Sequence, residues 1–271
     1  MQSADENLLT AAPTKSGLPF RLADFDTFVE ALDYAATGAT GMTYYNAKGE
    51  VIDLLTYEDL AVDARSIAAR LLATGLKPGD HVALLAETNA DFARTFCGCL
   101  YAGLVPAPLP LPVAFGDRAA YNDQLQRIVD VAKARAVFTG EEYADWVKEA
   151  MAALPLSFVG PLAELPDDAA PIAHAKPDRD ALAYLQFSSG TTGAPKGVML
   201  THNNIMSNSR AVSERANYEL GKDIVLSFLP LCHIFERTAI YFYLQLGVGV
   251  YYAESLETIS ENLQDIKPHG F

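Results

Sequence analysis

The sequence has 271 residues, of which 50% are hydrophobic, and its formal net charge is −14. A chain of this size and composition can bury one large or two ordinary hydrophobic cores, so we expect a globular protein. The acidic balance argues against nucleic-acid binding, because phosphate backbones attract basic surfaces.

Other features exclude further classes of protein. Cys97, Cys99 and Cys232 are too few for a disulfide framework and show no common zinc spacing, so we interpret them as small core residues. The N-terminus lacks the basic and apolar regions of a signal peptide. The longest apolar stretch, residues 239–252, is too short to span a bilayer. We therefore expect a cytoplasmic protein without an integral membrane segment, which could touch membranes only through its substrate.

The first 166 residues alternate between helical and strand patterns. Residues 1–19 are polar and small and are predicted to be disordered. Buried strands that alternate with helices predict a mostly parallel sheet. In chain order the predicted elements are helix 25–36, hairpin 43–57, a helix capped by Thr56 that continues to Leu72 and ends at Gly75, strand 81–86, helix 89–102, a strand starting at Leu104, helix 122–134, strand 136–140 and helix 143–153.

Proline affects one of these strands. Residues 104–112, LVPAPLPLP, are predicted to start as a strand and to continue as a polyproline-like segment, because proline is not tolerated in a central strand.

Residues 167–180 are rich in proline, alanine and charge, which is typical of a linker. We place a boundary there, with one α/β subdomain at 20–166 and the start of a second at 181–271. The elements predicted in the second are strands 182–187 and 197–200, helix 202–217 with Thr201 as its N-cap, strand 224–231, a turn and helix at 232–247, strand 248–253 and helix 259–266.

The segment between strands 182–187 and 197–200 combines small, hydroxyl and cationic residues as no other part of the chain does. Its glycines permit backbone angles that turn peptide N–H groups inward, which makes a concave anion site. Each charge-assisted hydrogen bond is worth about 1.5–3 kcal/mol, so several donors would hold a triphosphate. The residues are Ser188, Ser189, Gly190, Thr191, Thr192, Gly193, Lys196 and Gly197.

Spacing separates this segment from two better-known phosphate loops. The P-loop requires GxxxxGK followed by Ser or Thr, whereas the order here is GxxGxxK, ending at Lys196. GxGxxG is absent, which argues against a Rossmann oxidoreductase. A surface loop without a ligand is the remaining alternative. It explains the glycines but not Pro195, Lys196 and four hydroxyls in one place.

Residues 185–197, LQFSSGTTGAPKG, resemble the phosphate-loop signature of the adenylate-forming superfamily, which includes acyl-CoA synthetases, luciferases and nonribosomal peptide synthetase adenylation domains. Residues 229–238, LPLCHIFERT, resemble its second core motif in the form found in long-chain acyl-CoA synthetases. A core histidine beside an ordinary ion pair is the alternative for the second segment. Residues 86–116 resemble fatty acyl-AMP ligases instead, so the two parts of the chain point to different acceptors.

The resemblance implies an α/β fold with mostly parallel sheets flanked by helices. It covers about the first half of a typical member, without the adenine-stacking motif, the ribose-binding Asp or the small C-terminal domain with its catalytic Lys. The implied activity is ATP-dependent and Mg²⁺-dependent activation of a fatty acid to an acyl-adenylate, with transfer to coenzyme A or to the phosphopantetheine of an acyl carrier protein. The chain by itself is expected to bind nucleotide weakly with negligible turnover.

The resemblance also assigns roles to residues. Lys196 and His233 are the implied catalytic residues, with His233 beside the acyl carboxylate and Thr191, Thr192 and Lys196 on the β and γ phosphates. Thr192 is the implied Mg²⁺ ligand. The full implied nucleotide-binding set is Ser188, Ser189, Gly190, Thr191, Thr192, Gly193, Pro195, Lys196, Gly197, Glu236 and Arg237. The alternative function is a catalytically inactive phosphate-binding fragment or interaction module. Fatty-acid chain length, the acceptor and the oligomeric state stay open.

Overall fold

A computed structural model describes residues 18, 21, 23–46, 48–112, 118–167, 169, 176–188, 195–253 and 255–271. The prediction of disorder at 1–19 falls outside this range except for Leu18, and part of the predicted linker does as well. None of the described helices combines the length and apolar composition needed to cross a bilayer.

The described residues form eight α-helices and ten strands, which alternate through most of the chain. The helices are α1 Phe28–Ala35, α2 Tyr57–Ala73, α3 Ala90–Tyr101, α4 Arg118–Ala132, α5 Ala144–Met151, α6 His202–Ser213, α7 Ile234–Gln245 and α8 Ile259–Ile266. The strands are β1 Gly41–Tyr45, β2 Val51–Thr56, β3 His81–Leu85, β4 Val105–Leu109, β5 Ala134–Phe138, β6 Phe158–Gly160, β7 Leu182–Ser188, β8 Lys196–Thr201, β9 Ile224–Ser227 and β10 Gly249–Tyr252.

The strands form three sheets. The first has the order β2-β1-β10-β9 and is parallel except for the β1–β2 hairpin. The second has the order β4-β3-β5-β6 and is parallel throughout. The third is the antiparallel hairpin β7–β8. Both the predicted α/β class and the mostly parallel pairing are confirmed.

Local sequence signals determine several helix starts. The Thr56 hydroxyl accepts a hydrogen bond from the Asp59 backbone N–H at 3.0 Å, which caps α2 as predicted. Thr201 and Asn204 form a reciprocal capping box at the start of α6. The α2 helix ends just before Gly75, whose φ of 90° suits a residue without a side chain.

Strand β4 retains both of its prolines because it lies at an edge of the second sheet. Val105 N–H donates to Asp80 O, and Leu109 O accepts from Ala86 N–H, so the odd-numbered residues of β4 bond to β3. The nitrogens of Pro106 and Pro108 therefore face away from the ladder. The segment starts as a strand, as predicted, and this strand continues to Leu109 at the edge of the sheet, because an edge strand needs donors on one side only. The predicted polyproline-like continuation stays a prediction for residues 110–112.

Several predicted bounds differ from the structure. The helix predicted at 202–217 ends at Ser213, and the helix predicted at 25–36 begins at Phe28. Strand β9 ends at Ser227 and not at Leu231, because its partner β10 ends in register with it at Tyr252. Strand β6 was not predicted, since three residues at Phe158–Gly160 carry too short a pattern to detect.

The core crosses the predicted subdomain boundary. β1 and β2 precede residues 167–180, yet β1 pairs with β10, which follows them. Tyr44 and Tyr252 stack across this pair with their ring centroids 4.8 Å apart. Cys97 and Cys99 are buried in the core as predicted, whereas Cys232 is only half-buried. The division at 167–180 stays a prediction.

Candidate functional site

The β7–β8 hairpin carries the ends of the predicted phosphate loop. Ser188 lies opposite Lys196 in the ladder, and Phe187 lies opposite Gly197. Ser188 and Lys196 therefore face each other where residues 189–194 connect the strands. Four predicted binding residues of this loop are described: Ser188, Pro195, Lys196 and Gly197. Ser189, Gly190, Thr191, Thr192 and Gly193 lie outside the described residues.

Lys196 provides a free cation at this position. Its side chain is exposed. The lysine ion pairs found among the described residues involve Lys148 and Lys222, so within that range the Lys196 ammonium group has no carboxylate partner. Such a group can attract an anionic ligand without first breaking an ion pair.

Gly197 has a packing role on the same hairpin. A Cβ atom at Gly197 would lie 3.1 Å from Cζ of the Phe187 ring, closer than most such contacts. Glycine therefore lets the aromatic ring lie across the start of β8, next to Lys196.

His233 lies at the N-cap position of α7. Its side chain is exposed and makes no capping hydrogen bond, while its carbonyl accepts from the Arg237 N–H at 3.1 Å. The N-terminus of a helix carries partial positive charge and free N–H groups, which favour an anionic group beside it. The position suits an imidazole that faces a carboxylate or phosphate.

Gln186 joins the two predicted motifs, and sequence reasoning did not identify it. Its side chain is 6% exposed, and Nε2 donates to Cys232 O at 2.7 Å and to Phe187 O at 3.1 Å. This hydrogen bond attaches Cys232, the residue before His233, to β7 at Gln186, which lies two positions before Ser188. Oε1 has no partner among the described residues. A lone glutamine within the apolar run of β7 was the available signal, since buried amides require hydrogen bonds.

Glu236 and Arg237 point into the core. They are 4% and 3% exposed, respectively. The Glu236 carboxylate accepts a hydrogen bond from the Ser227 hydroxyl, and burial raises the pKa of Glu236. The Arg237 guanidinium donates to Tyr241 Oη from Nε at 2.9 Å and from Nη2 at 2.6 Å. Because these contacts are internal, the assignment of both residues as nucleotide contacts stays a prediction.

No metal centre is built into the described residues. They contain no group of three or more His, Cys, Asp or Glu side chains that could hold a metal ion. Thr192, the predicted Mg²⁺ ligand, lies outside that range. The donor set at the hairpin, a free ammonium group beside a hydroxyl, suits a phosphate chain better than a cation.

Comparison with known proteins places these features in context. The profile of the family described as AMP-binding enzyme matches residues 39–271. A Caulobacter vibrioides protein named as a candidate acyl-CoA synthetase is 44% identical over 225 residues, which cover 83% of this chain and 39% of that protein. A long-chain fatty acid–AMP ligase of Mycolicibacterium smegmatis is 35% identical over 184 residues, which cover 66% of this chain and 28% of the ligase.

A solved structure shows the same fold. A chain from a study of the fatty acyl-adenylate ligases of E. coli and L. pneumophila superposes with a TM-score of 0.82 at 35% identity, covering 92% of this chain and 45% of that one. The present chain thus spans less than half the length of each of these relatives.

Proposed function

Because the chain belongs to the AMP-binding enzyme family, whose members here include acyl-CoA and fatty acyl-AMP ligases, we propose that it forms the phosphate-binding part of a ligase that activates a fatty acid as an acyl-adenylate. The two relatives with the highest identities described above carry names that refer to acyl substrates. They are more than twice as long as the stretch they share with this chain. The complete reaction is therefore proposed for a protein of their length.

The described residues proposed to bind the substrates lie at two positions. Lys196, at the mouth of the hairpin beside Ser188, holds the β and γ phosphates of ATP together with Thr191 and Thr192. His233, at the start of α7, lies beside the carboxylate of the fatty acid. ATP supplies the adenylyl group, and Mg²⁺ shares the charge of the phosphates, with Thr192 as its proposed ligand. Holding two anionic groups in the correct orientation lowers the barrier mainly through positioning and charge neutralisation.

The acceptor of the acyl group is proposed to be coenzyme A or the phosphopantetheine of an acyl carrier protein. Either thiol would attack the acyl-adenylate in the second half-reaction, and the protein would work in the cytoplasm. No described residue distinguishes the two acceptors.

The observation that carries the proposal is the Gln186–Cys232 hydrogen bond of 2.7 Å. It connects the strand that leads into the phosphate loop to the segment that contains His233. The two motifs are 45 residues apart in number, from Ser188 to His233, but the fold brings their supports into contact. Two motifs that bind two reacting substrates, ATP and the fatty acid, are expected to lie close together in the fold.

Titration with Mg·ATP tests the proposal. We expect the amide NMR signals of β7, β8 and His233 to shift, and we expect Lys196→Met to weaken the binding at least tenfold because the free ammonium group is lost. Lys48→Met is the matched control, since Lys48 is an exposed lysine in the turn of the β1–β2 hairpin. Unmoved hairpin signals in the unsubstituted protein would disprove the proposal.

A binding module without chemistry is the second candidate. Val198 and Met199 on β8 are 51% and 62% exposed, so each face of this strand presents one apolar side chain that another surface could cover. Pyrophosphate release that depends on fatty acid separates the two candidates in a full-length relative. Loss of release when the lysine equivalent to Lys196 becomes methionine supports the ligase, and a full-length relative that releases no pyrophosphate supports the module.

A further inference from the structure

The guanidinium group of Arg237 is buried without a counter-charge in contact. Among the described residues no carboxylate lies within 4 Å of it, in contrast to the partly buried Arg94, which pairs with Asp63 at 2.9 Å and Asp91 at 3.1 Å. The carboxylate of the neighbouring Glu236 accepts from Ser227, and although the charge of Arg237 acts to lower its pKa, the two groups form no ion pair. A full charge in a protein interior is costly unless a partner compensates it.

Aromatic rings compensate part of this charge. The Arg237 Cζ atom lies 3.9 Å from the centroid of Phe96, 4.8 Å from Tyr241 and 5.3 Å from Phe92. Cation–π contacts of this kind are favourable but weaker than a contact with an anion. Arg237 also uses Nε and Nη2 to reach one acceptor, Tyr241 Oη, so the remaining N–H groups of the fork have no partner in the described part of the chain.

A small cavity adjoins this guanidinium. Its volume is about 20 Å³, enough for one water molecule or one halide-sized ion. Most of its wall is aromatic or aliphatic, and the polar atoms come from Arg237, Cys97 and a few tyrosine hydroxyls. The Tyr44 and Tyr252 hydroxyls are directed to Met42 Sδ, at 3.5 and 3.9 Å. Burial raises the pKa of the Cys97 thiol to about 12, so the thiol is neutral and supplies no negative charge.

We propose that this cavity binds a monovalent anion of the size of chloride, held by Arg237. A water molecule could fill the cavity, but it would leave the charge of the guanidinium uncompensated. A monovalent anion needs positive charge, which the guanidinium supplies. The walls of the cavity come from α1, β1, α3, α7 and β10 and not from the β7–β8 hairpin. Arg237 also belongs to the nucleotide-binding set that the resemblance implies, so the anion site is an alternative role for this residue.

Anion binding would make the stability of the fold depend on chloride. A ligand that binds only the folded state stabilises it progressively as its concentration rises above the dissociation constant. At fixed ionic strength, the stability of the fold must depend on which anion is present. A general salt effect would depend on the ionic strength alone. Bromide should occupy the same position.

The test compares chloride with gluconate, an anion too large for the cavity, at constant ionic strength. For the unsubstituted protein we expect saturable broadening of the chloride NMR line and a melting temperature that rises with chloride but not with gluconate. Crystals soaked in bromide should show an anomalous peak beside Arg237.

Three variants make the test specific. Arg237→Met removes the charge and should abolish both the broadening and the chloride dependence. Cys97→Met keeps the charge but fills the cavity, and should abolish them as well, which covers the case in which Arg237→Met does not fold. Arg94→Met, at a paired arginine, should keep both. Absence of saturable broadening, or broadening that persists in the Arg237 and Cys97 variants, would overturn the site.

Discussion

His202 shows how one side chain can make the fold depend on pH. It is 2% exposed at the start of α6, and its Nδ1 accepts a hydrogen bond from the Phe28 N–H at 3.2 Å. Burial lowers the pKa of His202 from 6.5 to about 4. The contact requires the neutral imidazole, since a protonated Nδ1 could no longer accept.

The first prediction concerns this histidine. Because its folded pKa lies below its unfolded pKa, its contribution is complete above pH 6.5 and is lost as the pH falls toward about 4. A shift of this size corresponds to roughly 3 kcal/mol of unfolding free energy. Urea unfolding between pH 7.5 and pH 4.5, as approximate limits chosen around those pKa values, should show a flatter dependence for His202→Gln. Equal slopes for both proteins would refute the assignment.

At the scale of elements, the packing of α2 on α3 depends on one glycine. A Cβ atom at Gly98 of α3 would lie 2.6 Å from Cγ2 and 3.1 Å from Cβ of Ile67 on α2. Ile67 is 4% exposed, and these atoms lie close to its own backbone, so they cannot move aside. The two helices therefore approach as closely as the glycine allows.

The second prediction is that Gly98→Ala destabilises the protein. Alanine gains about 1 kcal/mol of helix propensity over glycine, but overpacking costs about 1–3 kcal/mol. We expect a net loss of up to about 2 kcal/mol in unfolding free energy, measured by urea denaturation. In an Ile67→Ala background, which removes the clashing methyl group, the same substitution should become neutral or stabilising. A stabilising Gly98→Ala in the unsubstituted protein would contradict the packing.

The third prediction concerns the link between β7 and the segment before α7. Gln186→Met keeps the shape but leaves the Cys232 carbonyl without its donor, so we expect a loss of about 1–3 kcal/mol in unfolding free energy. The backbone NMR signals of His233 should shift together with those of β7. A loss of stability with unchanged His233 signals would mean that Gln186 does not position the histidine.

Local elements could be predicted from the sequence where a short-range signal exists. Thr56 and Thr201 start helices through their own hydroxyls, and the apolar runs of β3 and β7 are evident. The Gln186 contact could not be predicted, because its partner Cys232 is 46 positions away and is reached through a backbone carbonyl. The interior position of Arg237 could not be predicted either, since only the folded chain brings Phe92 and Phe96 to it.

At the scale of the whole molecule, the first sheet joins both parts of the chain. Met42, Thr43 and Tyr44 of β1 pair with Val250, Tyr251 and Tyr252 of β10. The Tyr57 hydroxyl donates to Val248 O at 2.7 Å. Residues of each part are therefore buried by contacts with the other part.

The fourth prediction follows from this arrangement. Fragments 1–180 and 181–271, expressed separately, should lack native amide spectra, because β1 and β10 each lose a partner. Mixing them should restore the spectrum of the intact chain. A native spectrum from fragment 1–180 alone would show that the predicted division at 167–180 separates independent folding units.

The pairing of β1 with β10 also has a consequence during protein synthesis. The β1–β2 hairpin, at one edge of the first sheet, is synthesised early. Tyr252 of β10 is synthesised about 200 residues later. At about 5–20 residues per second, roughly 10–40 s pass between the synthesis of β1 and that of its partner strand β10. During that interval its hydrogen-bonding edge is open, so chaperone occupancy should be greatest on ribosomes stalled before that codon.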